Sequence, residues 1–118
     1  MRWSRRRRLW SDSLIAERTT PEKVRRLVDE EIAAFDITDR ARRKTLEAFE
    51  RLRVPPREIS VQFSGGITQE CWMVTRSNGQ YSVVYLPTAG YFSLCVDSDF
   101  GPLDIGVHGP ALGCFGSV

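Results

Sequence analysis

The chain has 118 residues, 42% hydrophobic and 27% charged, which fits one globular domain able to bury roughly two thirds of its unfolded surface. No apolar run is long enough to cross a bilayer, so a membrane span is not expected. The net charge of +2 hides an asymmetry: residues 1–10 carry +5, residues 11–58 balance, and residues 59–118 carry −3, so the total says little about partners.

Residues 1–19 read as a flexible basic arm ahead of a single domain over residues 20–118. Arg5, Arg6, Arg7 and Arg8 stand between Trp3 and Trp10. Guanidinium forks bind phosphates and indoles stack on bases, so the arm is a candidate for nucleic-acid binding. Ser4-Arg5-Arg6 has the look of a twin-arginine export signal, but Ser11-Asp12-Ser13 stands where the apolar stretch belongs. Cys71, Cys95 and Cys114 are an odd number without paired spacing. They predict free thiols in a reducing, cytoplasmic setting.

Thr20-Pro21-Glu22 is a helix start, with Thr20 as N-cap and proline at the first turn. Val24, Leu27, Val28, Ile32 and Phe35 then follow helical spacing, predicting a helix from Pro21 to about Phe35. Asp36-Ile37-Thr38 offers a break, and Ala41, Thr45, Ala48, Phe49 and Leu52 form a second stripe ending before Pro55-Pro56. The short connection predicts an antiparallel helix pair. Arg40, Arg42, Arg43 and Lys44 read as a solvated face.

Beyond the prolines the period changes to two. Ile59, Val61 and Phe63 alternate with polar residues and predict a strand with one buried face. In CWMVTRSNGQYSVVYL, Asn78-Gly79 predicts a two-residue type I′ hairpin, which sets Met73 opposite Val84 and Trp72 opposite Tyr85. One face then carries Cys71, Met73, Val84 and Leu86, assigned to the core beneath the helices. The other carries Trp72, Val74, Val83 and Tyr85, with Arg76 and Tyr81 near the tip, and reads either as a partner surface or as a second core layer. Tyr91 to Val96 predicts a further strand, Ile105 to Val107 an edge strand, and Pro110 to Phe115 one helical turn docked on the sheet. The fold class is α+β: an N-terminal antiparallel helix pair packed on a four- to five-stranded antiparallel β-meander.

Chemistry-bearing patterns are sparse. Asp97-x-Asp99-x-Gly101 begins like a calcium loop but puts His108 where the bidentate acid belongs. Cys114 and His108 are the available thiol–imidazole pair, without a surrounding catalytic signature. The cysteines and His108 lack ligand-pair spacing for zinc, and Ser64-Gly65-Gly66 lacks the lysine of a phosphate loop. No catalytic residue, metal or cofactor is expected.

The order of two charged helices, a double proline, CWMVTRSNGQYSVVYLP and then GYFSLCVDSDFG resembles the small α+β immunity proteins of bacterial toxin–immunity systems. The resemblance implies a cytoplasmic, non-enzymatic protein that binds and neutralises one toxin-like partner. On that reading Glu70, Asp97, Asp99 and Asp104 would meet a basic partner, with Trp72 or Tyr85 as buried anchors and Arg76 and Tyr81 beside them. The alternative is a small nucleic-acid-binding or regulatory protein acting through Arg5 to Arg8. Deleting residues 1–13 separates the two, because it would abolish salt-sensitive nucleic-acid binding only in the second case.

Overall fold

The structure is a computed structural model that describes residues 19–118; the arm carrying Arg5 to Arg8 lies outside them. Helix α1 spans Pro21–Ala34, and the Lys23 N–H donates to the Thr20 hydroxyl at 3.2 Å. Helix α2 spans Arg40–Leu52, and the Arg42 N–H donates to the Asp39 carboxylate at 2.8 Å. Both starts follow from an oxygen side chain satisfying an orphan amide of the first turn.

Part of the basic cluster on α2 fastens the connection rather than facing water alone. The Arg42 guanidinium lies 4.3 Å from the Phe35 ring centre and donates through Nε to the Asp36 carbonyl at 2.6 Å. Arg43 donates to the Ile37 carbonyl at 3.0 Å. Cations thus take up carbonyls of the loop that connects α1 to α2.

Five strands follow: β1 Arg53–Phe63, β2 Ile67–Thr75, β3 Tyr81–Leu86, β4 Tyr91–Val96 and β5 Leu103–Gly109. A short 3₁₀ turn, Ser64–Gly66, joins β1 to β2. Each strand pairs antiparallel with the next, and the meander closes into a barrel where Gln62 of β1 meets Leu103 of β5 in parallel. The Gln62 N–H also donates to the Pro102 carbonyl at 2.9 Å. Helix α2 ends before Pro55-Pro56 as expected, but β1 already starts at Arg53 and runs through the two prolines, whereas the sequence suggested a strand only beyond them. Its register with β2 shifts between Arg53 and Arg57, so the missing proline amides fall where the ladder is already interrupted.

The expected pairings Trp72↔Tyr85 and Met73↔Val84 are present. The tip differs. Asn78 bridges Tyr81, with mutual bonds of 2.6 and 3.2 Å, so Gly79-Gln80 is the turn. Among the described residues only glycines have positive φ, Gly79 at 70°, which excludes the two successive left-handed residues of type I′ and fits type II′. The displacement arises in β2: residues 74–77 lie opposite only residues 82–83 between the two pairings. The Thr75 hydroxyl replaces a ladder carbonyl by accepting the Val83 N–H at 3.0 Å, and the Arg76 N–H turns instead to the Leu52 carbonyl at 2.8 Å.

Closure of the barrel creates two cores and reverses the expected use of the hairpin faces. Val61, Cys71, Val84, Leu86 and Cys95 fill the barrel, with Ile59, Phe63, Met73 and Tyr91 partly buried around them. Trp72, Val74, Val83 and Tyr85 instead join Val24, Val28 and Phe49 of the helices in a larger outer core. The interior of a small barrel admits only compact side chains, whereas the wider space between sheet and helices accepts rings. The helices therefore cover the aromatic face.

The C-terminal helix α3, Ala111–Phe115, completes this outer core with Ala111, Leu112, Cys114 and Phe115. Both α1 and α2 lean on α3 more than on each other. Phe115 meets Phe49 edge to face at 5.4 Å. Pro110 has no side chain able to cap α3, and Glu31 of α1 does so from a distance: its carboxylate accepts the Ala111 and Leu112 amides at 2.9 and 3.2 Å.

Candidate protein-binding surface

Between β4 and β5 the chain makes a tight turn, Ser98 to Gly101. Ser98 and Gly101 exchange backbone bonds at 3.1 Å, the Ser98 hydroxyl donates to the Gly101 carbonyl at 2.6 Å, and the Phe100 N–H donates to that hydroxyl at 3.2 Å. Gly101 takes a φ of 101°, open to glycine and strained for other residues. The turn holds Asp99 and Phe100 at its tip. Phe100 is 83% exposed, an unusual state for a large apolar ring, and Leu103 and Ile105 on the following strand are 37% and 41% exposed.

Three of the acids singled out from sequence gather around this turn. Asp99 is exposed on it and Asp97 just before it, where Asp97 accepts the Ser77 hydroxyl at 3.0 Å. Glu70 is exposed on β2 and accepts the Ser60 hydroxyl at 2.5 Å. The Ser60 carbonyl lies only 3.9 Å from where a β-carbon on Gly101 would sit, so the turn rests against β1 beside the Ser60–Glu70 pair. The surface thus combines a presented ring, two exposed aliphatic side chains and three carboxylates.

The fourth acid is elsewhere. Asp104 is largely buried and takes a hydrogen bond from the fully buried Ser93 hydroxyl and one from His108 Nε2 at 3.1 Å. His108 in turn stacks on Tyr91, ring centres 4.7 Å apart. With both groups engaged on Asp104, this carboxylate serves the barrel and not the surface.

The aromatic residues proposed as anchors are also placed differently. Trp72 and Tyr85 are 8% and 7% exposed beneath the helices, so neither presents a surface anchor in this fold. Tyr81 is half-buried against the same core. The exposed Arg76 donates to the Arg51 carbonyl at 2.6 Å and fastens the end of α2. Phe100 is the residue that the sequence reading missed. Its signal was present: an aromatic between Asp99 and Gly101 at a turn centre has no strand alternation to bury it.

Cys114 and His108 do not form a pair. Cys114 packs with Val107 in the outer core and its thiol points to the Phe92 and Val107 carbonyls, each at 3.5 Å. His108 follows Val107 along β5 and so takes the opposite face. Burial pushes the Cys71 and Cys95 thiols up to about 12 and that of Cys114 to about 11, with nearby carboxylates adding to each shift. All three are protonated, unreactive core side chains at neutral pH.

The sign of that shift makes a prediction. A thiol whose pKa is raised in the folded state contributes stability that is complete below its unfolded value of 9.0 and is lost as pH rises toward its folded value. Stability against urea should fall from about pH 9 upward, and replacing Cys71 and Cys95 with alanine should flatten that fall. A thiol reagent at pH 8 should modify the native protein only at its rate of opening.

Among the described residues no group of three or more His, Cys, Asp or Glu side chains is arranged to hold a metal ion, and no helix is long and apolar enough to cross a membrane. The fold and surface define a small α+β domain built on a closed five-stranded meander and presenting an acidic, aromatic-tipped turn. Comparison with protein-family models, curated proteins and solved structures finds no match for the chain.

Proposed function

We propose that this chain is a non-enzymatic protein-binding module of the immunity type, which neutralises a toxin-like protein by covering a basic region on it. The observation that carries this reading is Phe100, 83% exposed at the tip of an internally hydrogen-bonded turn and preceded by Asp97 and Asp99. A rigid ring loses little entropy on binding and buries a large area, which is how interface hot spots gain energy. Carboxylates beside it steer a basic partner during encounter, and the −3 charge of residues 59–118 favours the same partner at longer range. Asp97, Asp99 and Glu70 keep the role expected of them, while Phe100 replaces Trp72 and Tyr85 as anchor.

The test begins with capture of the partner from the producing cells and measurement of its association with the purified chain. Phe100→Ala should weaken a one-to-one complex by about 2 kcal/mol or more, through faster dissociation. The pair Asp97→Lys and Asp99→Lys should slow association and reduce its salt dependence. Co-expression should relieve toxicity of the partner with the parent chain and fail with Phe100→Ala. A captured protein whose binding ignores both sets of changes, or which is harmless when expressed alone, would overturn the proposal.

A further inference from the structure

Every seam of the barrel but one joins strands that are also neighbours in sequence, connected by the short segments 64–66, 76–80, 87–90 and 97–102, so the chain itself keeps those strands together. The remaining seam joins the first strand to the last. It pairs at one position, Gln62↔Leu103, with the Gln62 N–H donating to the Pro102 carbonyl at 2.9 Å. In a parallel ladder of this register the Ser60 carbonyl would accept from the amide of residue 102, which is a buried proline without an N–H. At the other end β1 stops at Phe63, where the chain turns into β2. Among the described residues no side-chain hydrogen bond or ion pair links β1 to β5. Each strand is held instead on its own side: β1 runs in register with β2 from Arg57↔Met73 to Phe63↔Ile67, and β5 pairs with β4 and gives its Val107 carbonyl to the Cys114 thiol at 3.5 Å. The outer core takes no described residue from β1.

We propose that the barrel opens locally at this seam, the end of the β1–β2 ribbon parting from β5 while the outer core stays closed. Parting here frees a long closed loop and breaks few bonds, whereas strands at any other seam stay tethered by a turn and gain little entropy. The barrel interior then meets solvent, and with it Cys71 and Cys95; Cys114 belongs to the outer core and stays covered. The surface assigned to the partner straddles the seam, with Glu70 on the β1–β2 side and Asp99, Phe100 and Leu103 on the other. Opening therefore splits that surface, and a bound partner clamps the seam shut. The clamp rests on the preceding reading, and the opening does not.

The experiment labels the native full chain with a thiol reagent over a series of low urea concentrations and locates each modified cysteine by peptide mass. Cys71 and Cys95 should react about tenfold or more faster than Cys114 and with a weaker dependence on urea, because a local opening exposes less surface than global unfolding. The Gln62 amide should exchange with deuterium through the same opening, while the amide of Leu94, in the middle of β4, exchanges only on global unfolding. Pro102→Ala adds the missing donor and should slow the two barrel thiols while leaving Cys114 unchanged; slowing of all three alike would count against a local latch. Equal rates for the three cysteines of the parent chain, or a Gln62 amide as protected as that of Leu94, would overturn the opening. The captured partner, once bound, should slow the barrel thiols further, and labelling indifferent to it would overturn the clamp alone.

Discussion

Trp72→Ala should destabilise the domain by about 3–5 kcal/mol, the range for removing a large buried ring when the space left behind cannot collapse. Trp72 is 8% exposed and sits between the sheet and the helices with Val74, Val83 and Tyr85. Because small domains hold only about 5–15 kcal/mol in total, the midpoint of thermal unfolding should drop by on the order of 15 °C or more. This effect separates two roles for one ring. An exposed anchor loses partner affinity and keeps its stability, whereas a core ring loses stability whether or not a partner is present. Calorimetry on the isolated chain decides, and an unshifted transition would contradict the assignment of the aromatic face to the outer core.

Phe49→Ala should cost a similar amount, about 3–5 kcal/mol, for a related reason. Phe49 is fully buried on α2 and meets Phe115 of α3 edge to face at 5.4 Å. It joins the second helix to the C-terminal one, on which both α1 and α2 lean more than on each other. Phe115→Ala should also destabilise. The double variant should lose less than the sum of the two singles, by about 0.5–1.5 kcal/mol, the usual coupling of an aromatic pair. Urea midpoints for the three variants give that coupling directly. Strict additivity would mean that α2 and α3 are held to the sheet independently.

Much of this architecture was legible because local chemistry decides it. Thr20-Pro21 and the 3.6-residue stripe through Val24, Val28 and Ile32 specify α1 without help from the rest of the chain. Alternation at Ile59, Val61 and Phe63 specifies which side of β1 is buried. The Met73↔Val84 pairing was read from Asn78-Gly79 and holds with the turn displaced, because two extra residues in β2 make up the difference. The turn itself was misplaced by one residue. The Thr75 hydroxyl and the Leu52 carbonyl compete for backbone partners from outside the hairpin, and no rule about Asn-Gly contains them.

The candidate surface was legible in part. Asp97, Asp99 and Glu70 could be picked out as unpaired charge in an acidic half, but their proximity depends on β1 and β5 meeting at Gln62 and Leu103. Phe100 gave no periodic signal, and its exposure follows from the bonds that fix Ser98 to Gly101.

By itself, then, the sequence determined the two N-terminal helices, the meander that follows them and the alternation that gives each strand two unlike faces. Only the tertiary structure decided what each face meets. A meander left open has one core face and one free face, but once its outer strands touch, compact side chains go inside and ring-bearing ones go beneath the helices. Closure is a contact between residues about forty positions apart, so no local pattern encodes it.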